Sequence, residues 1–177
     1  IDPGDEVVIP APYWVSYPDM ALLAEGTPIT PYAGPEQGYK ITPAQLEAAI
    51  TPKTRLFMLN SPSNPTGAAY SSAELHAFGA VLRRHPDVLI ATDDMYEHIY
   101  WAKEPFASFL TACPDLFDRT ITINGVSKSY AMTGWRIGYC GGPVEVVTAM
   151  STIQSQSTSN PSSIAQKAAA AALSGDQ

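Results

Sequence analysis

Two runs of the chain, Leu56-Phe57-Met58-Leu59 and Val88-Leu89-Ile90-Ala91, are apolar at every position. A strand sends alternate side chains to opposite faces, so a strand without a polar face has to be covered on both. That requirement asks for a mostly parallel sheet with helices on either side.

The rest of the sequence supplies the partners at suitable spacing. Val7-Val8-Ile9 predicts a strand ended by Pro10 and Pro12, and Asp19 to Glu25 a helix stopped by Gly26. Thr27 to Tyr32 is expected to be extended, with Pro28 and Pro31 placing it near a sheet edge. Thr42-Pro43 followed by Leu46, Ala49 and Ile50 has the N-cap, the first-turn proline and the apolar spacing of a helix. Ser72 to Arg84 predicts an amphipathic helix, with Ser72 as N-cap and Leu75, Phe78 and Leu82 on one face. Thr120–Ile123 and Ile137–Cys140 are further strands, and Val144–Ile153 and Ile164–Leu173 further helices. The expected fold class is α/β, with a mostly parallel central sheet and helices on both faces.

Composition narrows the function classes. A chain of 177 residues is long enough to bury a sizeable core, and it is 45% hydrophobic, which argues against disorder. Ten Lys+Arg against 17 Asp+Glu give a net charge of −7, the wrong sign for a nucleic-acid partner. Every apolar stretch is cut by Pro, Gly or a charge short of the roughly 18 residues that span a bilayer, so no membrane partner is expected. Cys113 and Cys140 are too few for a disulfide framework, and His76, His85 and His98 lack ligand spacing, so no metal is expected. A reducing cytoplasm is the expected location.

Ligands of open α/β sheets bind beyond the carboxyl ends of the strands. Pro12-Tyr13-Trp14 follows the first strand, and Asn60-Ser61-Pro62-Ser63-Asn64-Pro65-Thr66-Gly67 follows the Leu56–Leu59 run. Thr92-Asp93-Asp94-Met95-Tyr96 follows Val88–Ala91, while Asn124-Gly125-Val126-Ser127-Lys128 follows Thr120–Ile123, with Arg136 eight residues beyond Lys128. Singly, each group has a structural reading: Asp93 as a helix cap, Asn64 in a turn, Trp14 in packing, Lys128 as a solvated amine. Four strand ends that each bring a polar or aromatic group to one rim are hard to attribute to packing.

The segment from Gly125 to Gly138, containing Ser127-Lys128-Ser129 and Thr133-Gly134-Trp135-Arg136, resembles the pyridoxal-phosphate attachment motif of class I (fold type I) aminotransferases. Asn64-Pro65-Thr66-Gly67, Asp93-x-x-Tyr96 and Pro12-Tyr13-Trp14 are similar to that family's other signatures, in the family's order. Among its members, the chain resembles the bacterial aspartate-specific ones. The resemblance covers essentially the whole chain and implies that residues 1–177 are part of the cofactor-binding large domain. It also implies that the N-terminal segment, the phosphate loop and the small domain carrying the substrate-carboxylate arginine lie outside an internal fragment.

Residue by residue, the resemblance assigns Lys128 to the Schiff base with the cofactor and then to moving the substrate's Cα proton. A partly desolvated lysine amine suits that role. Asp93, preferred over Asp94 because it precedes Tyr96 by three, would pair with the pyridine nitrogen. Tyr96 and Asn64 would hold the cofactor's phenolic oxygen, and Trp14 would stack on its ring. Arg136 would grip the phosphate, and with no hydroxyl at Gly125, Ser127 would add a contact. The family tends to use cis bonds at Ala11-Pro12 and Asn64-Pro65. The implied reaction is ping-pong transamination between an amino acid, aspartate first, and a 2-oxo acid, in a homodimer. Aromatic amino acids, alanine or elimination chemistry remain as alternatives, as does an aminotransferase-like sensor domain of a transcription regulator.

Overall fold

The computed structural model describes residues 1–176. Six strands make one sheet: β1 (Glu6–Val8), β2 (Thr27–Ile29), β3 (Thr54–Asn60), β4 (Leu89–Asp93), β5 (Thr120–Gly125) and β6 (Gly138–Gly141). Their spatial order is β2-β1-β3-β4-β5-β6. The first five run parallel, and β6 returns antiparallel to β5. The helices are α1 (Ser16–Leu23), α2 (Pro43–Ala49), α3 (Ser72–Leu82), α4 (Phe109–Ala112), α5 (Val144–Ser155) and α6 (Ser163–Ser174).

The two apolar runs are buried for the reason their pattern predicts. Val7 and Ile9 face one side with Leu56 and Met58, and there they meet Tyr17 and Ala21 of α1. Their neighbours Val8, Phe57, Leu59 and Ile90 face the other side, against Leu46 of α2, Leu75, Phe78 and Leu82 of α3, and Phe109 of α4. Each of these large side chains gains about 1.5–3 kcal/mol from leaving water. A smaller cluster lies at the β6 end, where Ala165 and Ala169 of α6 close over Val126 and Ile137.

Local signals set the helix ends. Thr42 caps α2 through a reciprocal pair with Gln45, as its position before Pro43 predicts. The cap of α3 is Ser71 rather than Ser72: the Ser71 hydroxyl accepts from the Glu74 backbone N–H and the Glu74 carboxylate accepts from that of Ser71. Only a serine three residues before the glutamate can make that exchange. Helix α1 begins at Ser16, three residues ahead of Asp19, because Pro18 sits in the first turn, where a missing N–H costs nothing. The peptide bonds at Ala11-Pro12 and Asn64-Pro65 are cis as expected, and Ser61-Pro62 is a third. Because β1, β3, β4 and β5 are parallel, the segments that follow them leave the sheet at one rim.

Candidate active site

Asp93 ends β4, opposite Asn60 of β3 and Ile123 of β5. Its carboxylate is held from two directions. The Tyr17 phenol donates to Oδ2 at 2.6 Å, and the Met95 backbone N–H donates to Oδ1 at 3.1 Å. Burial, followed by the charge of Asp93, pushes the Tyr17 phenol well above its ordinary range, so it stays a donor at any physiological pH. Asn60 ties the neighbouring turn to the same strand end. Its Nδ2 donates to the Asp93 carbonyl at 2.9 Å, and its Oδ1 accepts from the Asn64 N–H at 2.7 Å. The Asn64 amide then reaches the Tyr96 hydroxyl at 3.4 Å.

These groups surround a pocket of about 120 Å³ lined by Trp14, Asn64, Asp93, Tyr96 and Lys128 together with Tyr17, Asn60 and Met95. Trp14 stands edge-on to Tyr17, centroids 5.4 Å apart, and keeps 38% of its surface exposed. Lys128 arrives from the turn after β5 and is exposed, whereas the sequence reading expects a partly buried amine. A larger cavity of about 590 Å³ adjoins the pocket, sharing Asn64 and Tyr96 and walled by Ile99, Tyr100 and Trp101.

Asp94 takes no part in the lining. It is 5% exposed, and burial first, then the charges of Glu97 and Asp93, push its carboxyl up to about 7. Ser127 and Arg136 also lie outside the lining. The Ser127 carbonyl accepts from Thr133 Oγ1, and the Arg136 guanidinium donates to the Thr133 carbonyl at 2.9 Å, from a residue in the left-handed region with φ 54°. Sequence reasoning passed over Tyr17 and Asn60 as site residues. Asn60 could have been found as the last residue of an apolar strand, whereas Tyr17 acts only through a contact 76 positions away. Among the described residues, no cluster of three or more His, Cys, Asp or Glu side chains is placed to hold a metal ion.

Fold and pocket together define an α/β protein that presents a lysine amine, a buttressed carboxylate and a phenol–amide pair at the exits of adjacent parallel strands. The family described as aminotransferase class I and II matches residues 1–177, and the chain belongs to that family. It is 68% identical, over all its length, to the aspartate/prephenate aminotransferase of Nitrosomonas europaea, of which it covers 45%. The crystal structure of the aspartate aminotransferase from Rhizobium meliloti superposes with a TM-score of 0.97 at 54% identity, all of this chain on 44% of that one. The Thermus thermophilus aspartate aminotransferase with maleate gives 0.92 at 44% identity, covering 98% of this chain and 44% of that one. The chain thus spans less than half the length of the relatives it matches.

Proposed function

We propose that this chain is the cofactor-holding part of a longer pyridoxal-phosphate-dependent aminotransferase that moves the amino group of aspartate to a 2-oxo acid in two half-reactions. The observation that carries the proposal is the convergence of Lys128, Asp93, Tyr96, Asn64 and Trp14, from four strand exits, on one small pocket.

The donor set fits the cofactor's chemistry: a carboxylate for the ring nitrogen, a phenol and an amide for the ring hydroxyl, an indole for the ring face and an amine for the aldehyde. When bound, pyridoxal phosphate supplies an electron sink for the charge left at the substrate's Cα. Asp93 would pair with the ring nitrogen, and Tyr17 aims that carboxylate by donating to Oδ2. Tyr96 and Asn64 would hold the ring hydroxyl. Trp14 excludes water from one face. Lys128 would bind the aldehyde through its amine and, when that amine is free, would serve as the base for the substrate's Cα proton. Ser127 and Arg136 are assigned to the phosphate by the family pattern.

The name of the Nitrosomonas relative adds prephenate to aspartate, and one observation favours that second substrate. The adjoining cavity of about 590 Å³ is walled by Tyr96, Tyr100 and Trp101, which leaves room for a ring-bearing 2-oxo acid. We further propose a homodimer in the reducing cytoplasm, where the free thiols of Cys113 and Cys140 persist. No described helix is long and apolar enough to cross a membrane.

The test uses the full-length protein incubated with pyridoxal phosphate, reduced with borohydride and mapped by mass. The label is expected on Lys128. Label on Lys103 or Lys167 instead would overturn the assignment.

A further inference from the structure

Tyr96 and Lys128 belong to different strand exits, β4 and β5, and the paired part of those strands ends at Asp93 and Ile123. Past that point the backbone offers one tie, the Asp94 N–H donating to the Ile123 carbonyl at 2.9 Å. A second tie is made by side chains. Asn124 Nδ2 donates to Glu97 Oε1 at 2.7 Å, while Asn124 Oδ1 accepts from the Gly125 N–H at 2.7 Å. Glu97 is the residue after Tyr96, and Gly125 is the last residue of β5, just ahead of the turn that carries Lys128.

We propose that the Glu97–Asn124 pair is a positioning brace that sets the Lys128 amine against the Tyr96 phenol. The inference rests on the aminotransferase reading of the site. Several observations set the pair apart from an ordinary surface contact. Asn124 is 8% exposed, and both polar ends of its amide are spent, one on each loop. Glu97 keeps only 29% of its side-chain surface exposed, and the same Oε1 lies 3.4 Å from His98 Nε2. The turn is also closed by the Glu97 N–H donating to the Asp94 carbonyl and the Ile99 N–H to that of Tyr96. A rigid turn with a side chain locked to the neighbouring strand moves as one piece with that strand. Removing the link frees the Lys128 turn to shift relative to Tyr96, and a shift of about 1 Å in a reacting group costs on the order of a hundredfold in rate.

Exchange of the partners separates the brace from general packing. Glu97→Gln keeps an acceptor oxygen for Asn124. Asn124→Asp alone sets two carboxylates against each other. The double variant, Glu97→Gln with Asn124→Asp, restores the bond with donor and acceptor reversed, and the introduced carboxylate still accepts from the Gly125 N–H. Two measurements on the full-length protein read the outcome: the rate of borohydride fixation of pyridoxal phosphate on Lys128, and backbone amide exchange across Gly125–Lys128 with no cofactor added. Glu97→Ala and Asn124→Asp are expected to slow fixation by about tenfold or more and to speed amide exchange. Glu97→Gln and the double variant should stay near the parent on both. If the alanine variant does not fold, the exchanged pair decides alone. Parent-like fixation and exchange in Asn124→Asp, or no recovery in the double variant, overturns the brace. Absence of any Lys128 label in the parent protein overturns instead the reading on which it rests.

Discussion

At the scale of single residues, the site is a division of labour between adjacent carboxylates. Asp93 faces the pocket with its charge shared between the Tyr17 phenol and the Met95 N–H, whereas Asp94 is buried behind it. Asp93→Asn preserves size and much of the hydrogen bonding but removes the charge that, in the proposed function, would pair with the ring nitrogen. Proton removal from Cα should slow by about 10²–10³-fold, the usual loss when a preorganised charge is deleted. Tyr17→Phe leaves that charge in place but unsupported. A hydrogen bond to a charged group is worth about 1.5–3 kcal/mol, so a loss of roughly 10- to 100-fold is expected. Asp94→Asn should be mild by comparison. Single-turnover half-transamination in the full-length protein, followed by the change in cofactor absorbance, ranks the three. Equal losses from Asp93→Asn and Asp94→Asn would show that the carboxylate is misassigned.

At the scale of elements, one residue outside the pocket fastens the strand that carries Asp93. The Arg119 guanidinium donates to the carbonyls of Leu82, His85 and Val88 at 2.6, 2.9 and 2.7 Å, closing the end of α3 onto the start of β4. Arg119→Met strips those carbonyls of their donor and should cost about 2–3 kcal/mol in urea unfolding. Activity per folded molecule should hardly change, because Arg119 sits at the opposite end of β4 from Asp93. The central strands were legible in the sequence because a run apolar on both faces leaves few alternatives. The start of α1 was not, since Pro18 disguised it, and the α3 cap was missed by one residue because two serines compete for it. Trp14, Asn64, Asp93, Tyr96 and Lys128 came forward as a group because they cluster at strand ends, and the family resemblance singled out each one, Asp93 over Asp94 included. Tyr17 could not, because its role is created by a tertiary contact. The placing of Ser127 and Arg136 outside the pocket was equally hidden: their turn is set by bonds to Thr133 that no spacing announces.

At the scale of the whole molecule, burial of Asp94 ties folding to pH. Its folded pKa, about 7, lies above the ordinary value of 3.8, so the folded state holds the proton more tightly than the unfolded chain does. An acid shifted upward favours folding while it is protonated. Its contribution to stability therefore falls as pH rises from about 4 to about 7, then stays level. Asp115 works in the opposite sense and in another window. Bonded to Arg83 and held down to about 2, it favours folding above pH 4 and loses that effect as pH falls toward 2. The two windows do not overlap, so a single variant can separate them. Asp94→Asn should raise the unfolding free energy of the full-length protein, read from urea titration, by roughly 1–3 kcal/mol at about pH 8, with much less change near pH 4.5. The decline in stability across the neutral range should flatten in the variant, while the acid limb set by Asp115 should persist. An unchanged slope between those two pH values would mean that Asp94 is ionised in the folded protein, with its charge met by a partner or by water.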